Sequence, residues 1–280
     1  MKCTVDGLEI YYNSKGEGFP LLMIHGYSLD HRAMTGCMEP LFAQQPGFQR
    51  IYLDLPGMGR TAASEDLRTS DDMLQLLIAF IRQMLDTRPF ALVGYSYGGY
   101  LARGIAHELK SQVEGMLLIC PVVKFLRSKR RCPSPVVLKK DKALFEELPM
   151  LDASDFQSVA VLQTRSVWER FQKEILPGLR RADFSLLERL RDSEFSLDID
   201  TWASSFVKPV SLILAHYDHT VGYLDGIDLY RKYPDASLIV ADHSGHLVQI
   251  EQPYLFNTAV NQWLKRMANI PPVSDTREFP

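Results

Sequence analysis

Residues 90–99, Phe-Ala-Leu-Val-Gly-Tyr-Ser-Tyr-Gly-Gly, pass from four apolar residues straight into a serine with a glycine two positions away on either side. Leu101, Ile105 and Leu109 then recur at helical spacing, so the stretch reads as a strand, a sharp turn and a helix in immediate succession. A serine at such a turn projects its hydroxyl from the end of the sheet. Glycines at 94 and 98 are needed because side chains there would collide with neighbouring backbone. The pattern Gly-x-Ser-x-Gly alone arises often by chance; the strand before it and the helix after it carry the argument.

Outward from this turn, short apolar runs alternate with longer helix-like stretches, the mark of a parallel sheet with helices on both faces, an α/β fold. The strand candidates are 21–24, 51–53, 90–93, 116–120, 211–215 and 238–240, each nearly all apolar, as strands buried on both faces should be. Around 4–12 an Asp6-Gly7 turn suggests an antiparallel hairpin. Residues 69–85 read as a helix in which Thr69 and Asp72 form a capping box and Leu74, Leu77, Ile78, Ile81 and Leu85 share a face. A last helix follows Pro253, with Leu255, Ala259, Val260, Trp263, Leu264 and Met267 on one side.

The alternation stops after Pro121 and resumes at about Phe206. Between them lie a basic, proline-bearing stretch at 126–138 and helical patterns at 142–148, 156–175 and 184–191. The simplest account is a mostly helical insertion, residues 124–205, seated like a lid over the carboxyl ends of the strands. The core is then residues 1–123 with 206–270, and the polar, proline-rich segment 271–280 is expected to be a loose tail.

At 280 residues, 46% hydrophobic and with a net charge of -3, the chain can bury a large core and lacks the general positive field that nucleic acid or an anionic membrane requires. Neither a signal peptide nor a membrane-spanning run is evident. Cys3, Cys37, Cys120 and Cys132 form no Cys-x-x-Cys pair, so free thiols and a cytoplasmic location are expected.

A serine hydroxyl is a weak nucleophile until a base accepts its proton, and the base needs a partner to fix its tautomer. Asp218 and His246 each follow an apolar run, at the ends of 211–215 and 238–240, so serine, acid and histidine stand on three separate strand ends in that chain order. Ligands gather at the carboxyl ends of such sheets, where the three can converge. The negative oxygen formed on attack needs donors, for which the backbone amides of Tyr97, just after the serine, and Tyr27, after His25-Gly26, are well placed. Side-chain identity matters little to a backbone donor.

With His25-Gly26, Asp54-Leu55-Pro56-Gly57-Met58-Gly59-Arg60, the turn around Ser96, the Asp218 loop and Ser244-Gly245-His246 in this order and spacing, the chain resembles the α/β-hydrolases over most of its length outside the insertion. The resemblance implies an eight-stranded, mostly parallel sheet, a helical cap inserted after the sixth strand, the triad above and no cofactor. Thr61 stands where that family often has serine, a departure that should not touch catalysis. Haloalkane dehalogenases and epoxide hydrolases of this fold carry aspartate in place of the nucleophilic serine, so those activities are disfavoured.

Rival assignments are weaker. Asp225 and Asp228 fall in the helix expected after the Asp218 loop, Asp242 sits too near the histidine's own strand end, and no carboxylate lies near Pro121. His243 competes with His246, but Gly245 lets the loop at 246 approach the serine. His216, His219, His243 and His246 lack the spacing of a catalytic zinc site, so no metal is expected. Asp54 suits a structural role, capping amides of the 56–59 turn. The basic run Lys124, Arg127, Lys129, Arg130 and Arg131 is either solvated surface or, through Lys124 or Arg127, an entrance favouring a carboxylate-bearing substrate. Phe145, Phe156, Trp168, Phe171, Phe184 and Trp202 should mostly hold the insertion together, a few serving as pocket walls. The expected activity is hydrolysis of a small or medium ester or related acyl compound. Carbon-carbon bond hydrolysis, lactone opening or acyl transfer could use the same triad, and a non-catalytic small-molecule receptor is the alternative of another class.

Overall fold

In the computed structural model, which describes residues 1–191 and 193–268, β1 (Lys2–Val5) and β2 (Leu8–Lys15) form an antiparallel hairpin whose turn places Asp6 and Gly7 at positive φ. The other strands in chain order are β3 (Phe19–Ile24), β4 (Phe48–Leu53), β5 (Phe90–Tyr95), β6 (Val113–Ile119), the two-residue β7 (Lys139–Lys140) and β8 (Leu162–Gln163), then β9 (Val210–Ala215) and β10 (Ala236–Ala241). Eight of them make one sheet, ordered β1-β2-β4-β3-β5-β6-β9-β10, antiparallel at β1/β2 and β2/β4 and parallel elsewhere. Every residue of β5 and β9 is buried; because successive side chains point to opposite faces, both faces of the sheet are covered.

The core helices before the insertion are α1 (Arg32–Met38), α2 (Ser70–Leu85) and α3 (Tyr97–Glu108). Helix α2 starts with the expected capping box: the Thr69 hydroxyl accepts from the Asp72 amide at 3.1 Å, and the Asp72 carboxylate accepts from the Thr69 amide at 2.8 Å.

Between β6 and β9 lie α4 (Lys142–Glu147), α5 (Met150–Val159), α6 (Arg165–Glu174), α7 (Leu176–Leu179), α8 (Phe184–Leu190) and α9 (Ile199–Trp202), with β7 and β8 pairing apart from the main sheet. The helix expected over 156–175 is broken in two. The amides of Val161 and Leu162 donate to the Glu251 carboxylate, at 2.8 and 3.0 Å, instead of to helical carbonyls, and Thr164 stands at the start of α6. A partner 90 residues away leaves no trace in local periodicity.

The core resumes with α10 (Leu224–Tyr230), α11 (Val248–Glu251) and α12 (Pro253–Ala268). Helices α6 and α7 pack on α1, α6 also on α11, and α9 on α3, so the inserted helices sit on elements that follow the carboxyl ends of β3, β10 and β5. Strand β10 departs from the expectation of two-sided burial: it is an edge strand paired only with β9, and Val240 is 37% exposed. The expected tail at 271–280 lies outside the described residues. Among those described, no helix is long and apolar enough to cross a membrane.

Candidate active site

Strand β3 has β4 on one side and β5 on the other, so the connections leaving β3 and β5 diverge, which in such sheets opens a crevice for ligands. Ser96 occupies the turn after β5 with φ 55° and ψ -116°, a left-handed conformation that costs a non-glycine residue about 1–3 kcal/mol. Its neighbours enforce it. The Ser96 amide donates to the Ile119 carbonyl at 2.9 Å, and the Ser96 carbonyl accepts from Gly99 and Val122, each at 3.0 Å. The flanking glycines are obligatory: a Cβ on Gly98 would lie 2.1 Å from the Ile24 carbonyl oxygen, and one on Gly94 would lie 2.4 Å from that of Gly98.

The structure brings the three expected side chains together. His246 Nε2 lies 2.9 Å from Ser96 Oγ, and His246 Nδ1 lies 2.8 Å from Asp218 Oδ2. The carboxylate requires the proton on Nδ1, which leaves the Nε2 lone pair facing the hydroxyl. Asp218 Oδ1 accepts from the amides of Thr220 and Val221 at 2.9 and 3.0 Å. Burial alone would push the Asp218 carboxyl up; the His246 imidazole and those two amides outweigh it and hold the group below the usual carboxylate range.

Three residues that sequence reasoning missed support this arrangement. Tyr95, inside the turn motif, donates its hydroxyl to the His246 carbonyl at 2.9 Å and stacks on the imidazole with ring centroids 5.2 Å apart. Its place beside Ser96 was visible, but not the direction of its ring. Glu251 accepts from the Gly245 amide at 2.7 Å through the oxygen not used by Val161 and Leu162, and burial pushes its carboxyl up against the pull of those amides. Cys120, at positive φ just past β6, places its sulfur within 4.8 Å of ligating atoms of Asp218 and His246; burial and then the Asp218 charge push its thiol well above the usual range.

Tyr97 opens α3, where a first-turn amide has no intrahelical acceptor, and Tyr27 follows Gly26, whose Cα approaches so closely that a Cβ there would lie 3.1 Å from that of Ser96. Apart from their backbone amides, both rings have structural tasks. They meet edge to face with centroids 5.8 Å apart; the Tyr27 hydroxyl donates to the Leu187 carbonyl in the insertion, and that of Tyr97 bonds Ser70 Oγ at 3.2 Å.

Asp54 is structural but not through the amides expected. Its carboxylate accepts from the amides of His31 and Arg60, at 2.7 and 2.9 Å, and from the His31 ring at 2.8 Å, whereas the Gly57 and Met58 amides donate to the Ala62 and Leu55 carbonyls and Pro56 has none to give. Thr61 donates its hydroxyl to the Asp54 carbonyl at 2.7 Å. Buried His25 accepts from the Leu55 amide at 2.9 Å and donates to the Gly26 carbonyl at 2.8 Å, and burial pushes its imidazole down, so it is a neutral strut. Asp225 pairs with Arg131, while Asp242 and His243 lie in the exposed loop beside His246.

Two groups of ligating atoms lie within 4.8 Å of one another among the described residues, Cys120 with Asp218 and His246, and Asp30 with His31 and Asp54. In both, the imidazole and an aspartate are already bonded to each other. A cavity of about 260 Å³ opens beside Ser96, with Tyr27, Tyr97, Phe125, Arg127, Arg130 and Arg191 on its walls. None of the six aromatics suggested as walls lines it: Phe145, Phe156, Trp168 and Phe171 pack against one another, Trp202 meets His107 and Phe206, and Phe184 is exposed. Lys124 is likewise turned to Asp200.

A family model for the alpha/beta hydrolase fold matches residues 20–253. Among solved structures, an alpha/beta superfamily hydrolase from Oenococcus oeni PSU-1 aligns with a TM-score of 0.87 at 30% identity, covering 96% of this chain and 99% of its own. The monoacylglycerol lipase ABHD6 of Bos taurus is 24% identical over 246 residues, 83% of this chain and 71% of that protein. The pimeloyl-[acyl-carrier protein] methyl ester esterase of Legionella pneumophila (strain Paris) is 29% identical over 121 residues, 42% of this chain and 45% of its own length.

Proposed function

Because the chain belongs to the α/β-hydrolase fold family, we propose that this hydrolase cleaves a small or medium carboxylic ester, or a related acyl compound, with Ser96 as nucleophile, His246 as general base and Asp218 as the acid that orients the base. The observation that carries the reading is the unbroken run of contacts from Ser96 Oγ to His246 at 2.9 Å and from His246 to Asp218 at 2.8 Å. As Oγ attacks the carbonyl carbon, its proton passes to Nε2, and the buried Asp218 carboxylate stabilises the imidazolium that forms. The amides of Tyr27 and Tyr97 hold the tetrahedral oxyanion. Its collapse breaks the ester C–O bond, and the alcohol leaves with the proton from Nε2. Water, activated by the same nitrogen, then releases the acid and restores Ser96. Residues 124–205 act as a cap that shapes access to the serine.

Labelling with a fluorophosphonate probe tests the nucleophile. Wild type is expected to label at Ser96 and to hydrolyse p-nitrophenyl esters with a chain-length optimum set by the cavity. Ser96→Ala should not label, should lose at least about 10⁴-fold in kcat, and should keep its circular dichroism and thermal midpoint. A folded wild-type protein that never labels sinks the reading.

A further inference from the structure

The basic run at the start of the insertion sorts into two sets by partner. Lys124 meets Asp200 at 3.2 Å, Lys129 meets Glu194 at 3.2 Å, and Arg131 meets Asp225 at 2.7 Å and also pairs with Asp228. Arg127 and Arg130 have no carboxylate partner among the described residues, and those two, not the paired three, line the cavity beside Ser96.

The Arg130 guanidinium is held in place by carbonyls alone, those of Lys124 and Thr220 at 2.9 Å and of Phe125 at 2.6 Å. These bonds use three of its five N–H donors and bring no carboxylate into contact with it. Burial pushes its pKa down, the neighbouring Arg127 charge adds to this, and the Asp218 and Asp225 carboxylates, not in contact with it, offset it only in part. Arg191, just past α8, adds a third guanidinium to the wall; its contact with Glu188, 3.4 Å long and exposed on both sides, neutralises little. Among the described residues no acidic side chain lines the cavity, and Tyr27, Val122, Phe125 and Val221 make much of the remaining wall apolar. Three cations against an apolar wall give a positive potential that a neutral ester cannot use.

We infer that the acyl substrate carries a second, negatively charged group, a carboxylate, which Arg127, Arg130 and Arg191 receive while the ester carbonyl lies at Ser96. The inference rests on the reading of Ser96 as nucleophile. A guanidinium fork matches a carboxylate in two-point contact, and a cavity of about 260 Å³ suits a short half-ester of a dicarboxylic acid.

Monomethyl glutarate and dimethyl glutarate differ in this charge and little else. Wild type should show a kcat/KM at least about tenfold higher for the monoester, the range expected of hydrogen bonds to a charged group. Arg127→Gln and Arg191→Gln should each reduce that ratio, chiefly through KM for the monoester, and added salt should do the same. Lys129→Gln, which removes a cation paired with Glu194 outside the cavity, should leave the ratio unchanged. Equal kcat/KM values for the two esters, or a ratio as sensitive to Lys129 as to Arg127, overturn the inference while leaving the ester-hydrolase reading intact. Calorimetry on Ser96→Ala separates the two claims: tighter binding of the monoester that Arg127→Gln abolishes supports the anion site even if wild type turns over neither ester, whereas equal binding of both esters overturns it.

Discussion

The sheet core and the inserted segment share one apolar cluster but differ in how their backbones are tied. In the core, β5 and β9 are buried along their whole length and joined to neighbours by parallel ladders, that of β5 with β6 shifting register once between Phe90 and Ala91, with apolar side chains on both faces. The insertion gathers Phe145, Phe156, Trp168 and Phe171 into an aromatic group with no strand ladder beneath it, joins the apolar core through side chains such as Phe195, stacked on Tyr100 with ring centroids 4.1 Å apart, and adds polar ties to it. The Asp183 amide donates to the Gly57 carbonyl at 2.7 Å, the Phe195 amide to Tyr100 Oη at 2.7 Å, the Ser70 amide to Ser193 Oγ at 2.8 Å, and Arg103 pairs with Asp200. Each neutral bond of this kind contributes only about 0.5–1.5 kcal/mol net. Ser96, His246 and Asp218 stand at strand ends of the core, and if residues 124–205 act as the proposed cap, that segment should open before the sheet does.

The largest expected effect lies wholly in the core. Asp218→Asn keeps the shape but presents an amide to Nδ1, favouring the wrong imidazole tautomer, so kcat should fall by about 10⁴-fold while KM changes little. The same substitution has a signature in pH. Asp218 is held below the usual carboxylate range when folded, so its contribution to stability is complete above the unfolded value, near about 3.9, and is lost as pH falls through the lower folded value. Thermal midpoints of wild type should drop more steeply below pH 4 than those of Asp218→Asn; parallel curves would show that the carboxylate does not carry this linkage.

A pair of truncations tests the division directly. Phe90 in β5 and Phe171 in α6 are both fully buried, and removing either ring should cost about 3–5 kcal/mol. Phe90→Ala should lower hydrogen-exchange protection throughout the sheet. Phe171→Ala should open residues 124–205 first, with protection in β5 and β6 retained and KM raised before kcat falls. If Phe171→Ala instead strips the sheet as Phe90→Ala does, the two regions unfold as one.

The same contrast explains what could be read from the sequence. Strands β3, β5, β6 and β9 were legible because two-sided burial demands unbroken apolar runs, and α2 because its capping box is local. Ser96, Asp218 and His246 were legible because each follows a strand that announces itself. What stayed hidden depends on partners distant in the chain. Glu251 lies in the ordinary-looking run Val248-Gln249-Ile250-Glu251, and nothing there signals a buried carboxylate that breaks a helix around 160. Lys124 and Arg127 look alike in sequence; only Asp200, 76 residues on, separates the paired cation from the one that faces the cavity.

Glu251 gives the smallest and most diagnostic effect, because it binds both regions at once. One oxygen accepts from Val161 and Leu162 in the insertion, and the other accepts from Gly245, the residue before His246. In Glu251→Gln the side chain keeps its size but retains one acceptor, and its NH₂ must face a backbone amide that is also a donor. Leaving a buried donor unsatisfied should cost about 1–3 kcal/mol, seen as a modest drop in thermal midpoint. If the residue is a true joint, hydrogen exchange should quicken at 160–164 and at 243–246 together, and kcat should fall as His246 loses its fixed approach to Ser96. Faster exchange on the insertion side alone, with kcat intact, would mean that Glu251 merely fastens the cap and that the histidine loop is held by Tyr95 without it.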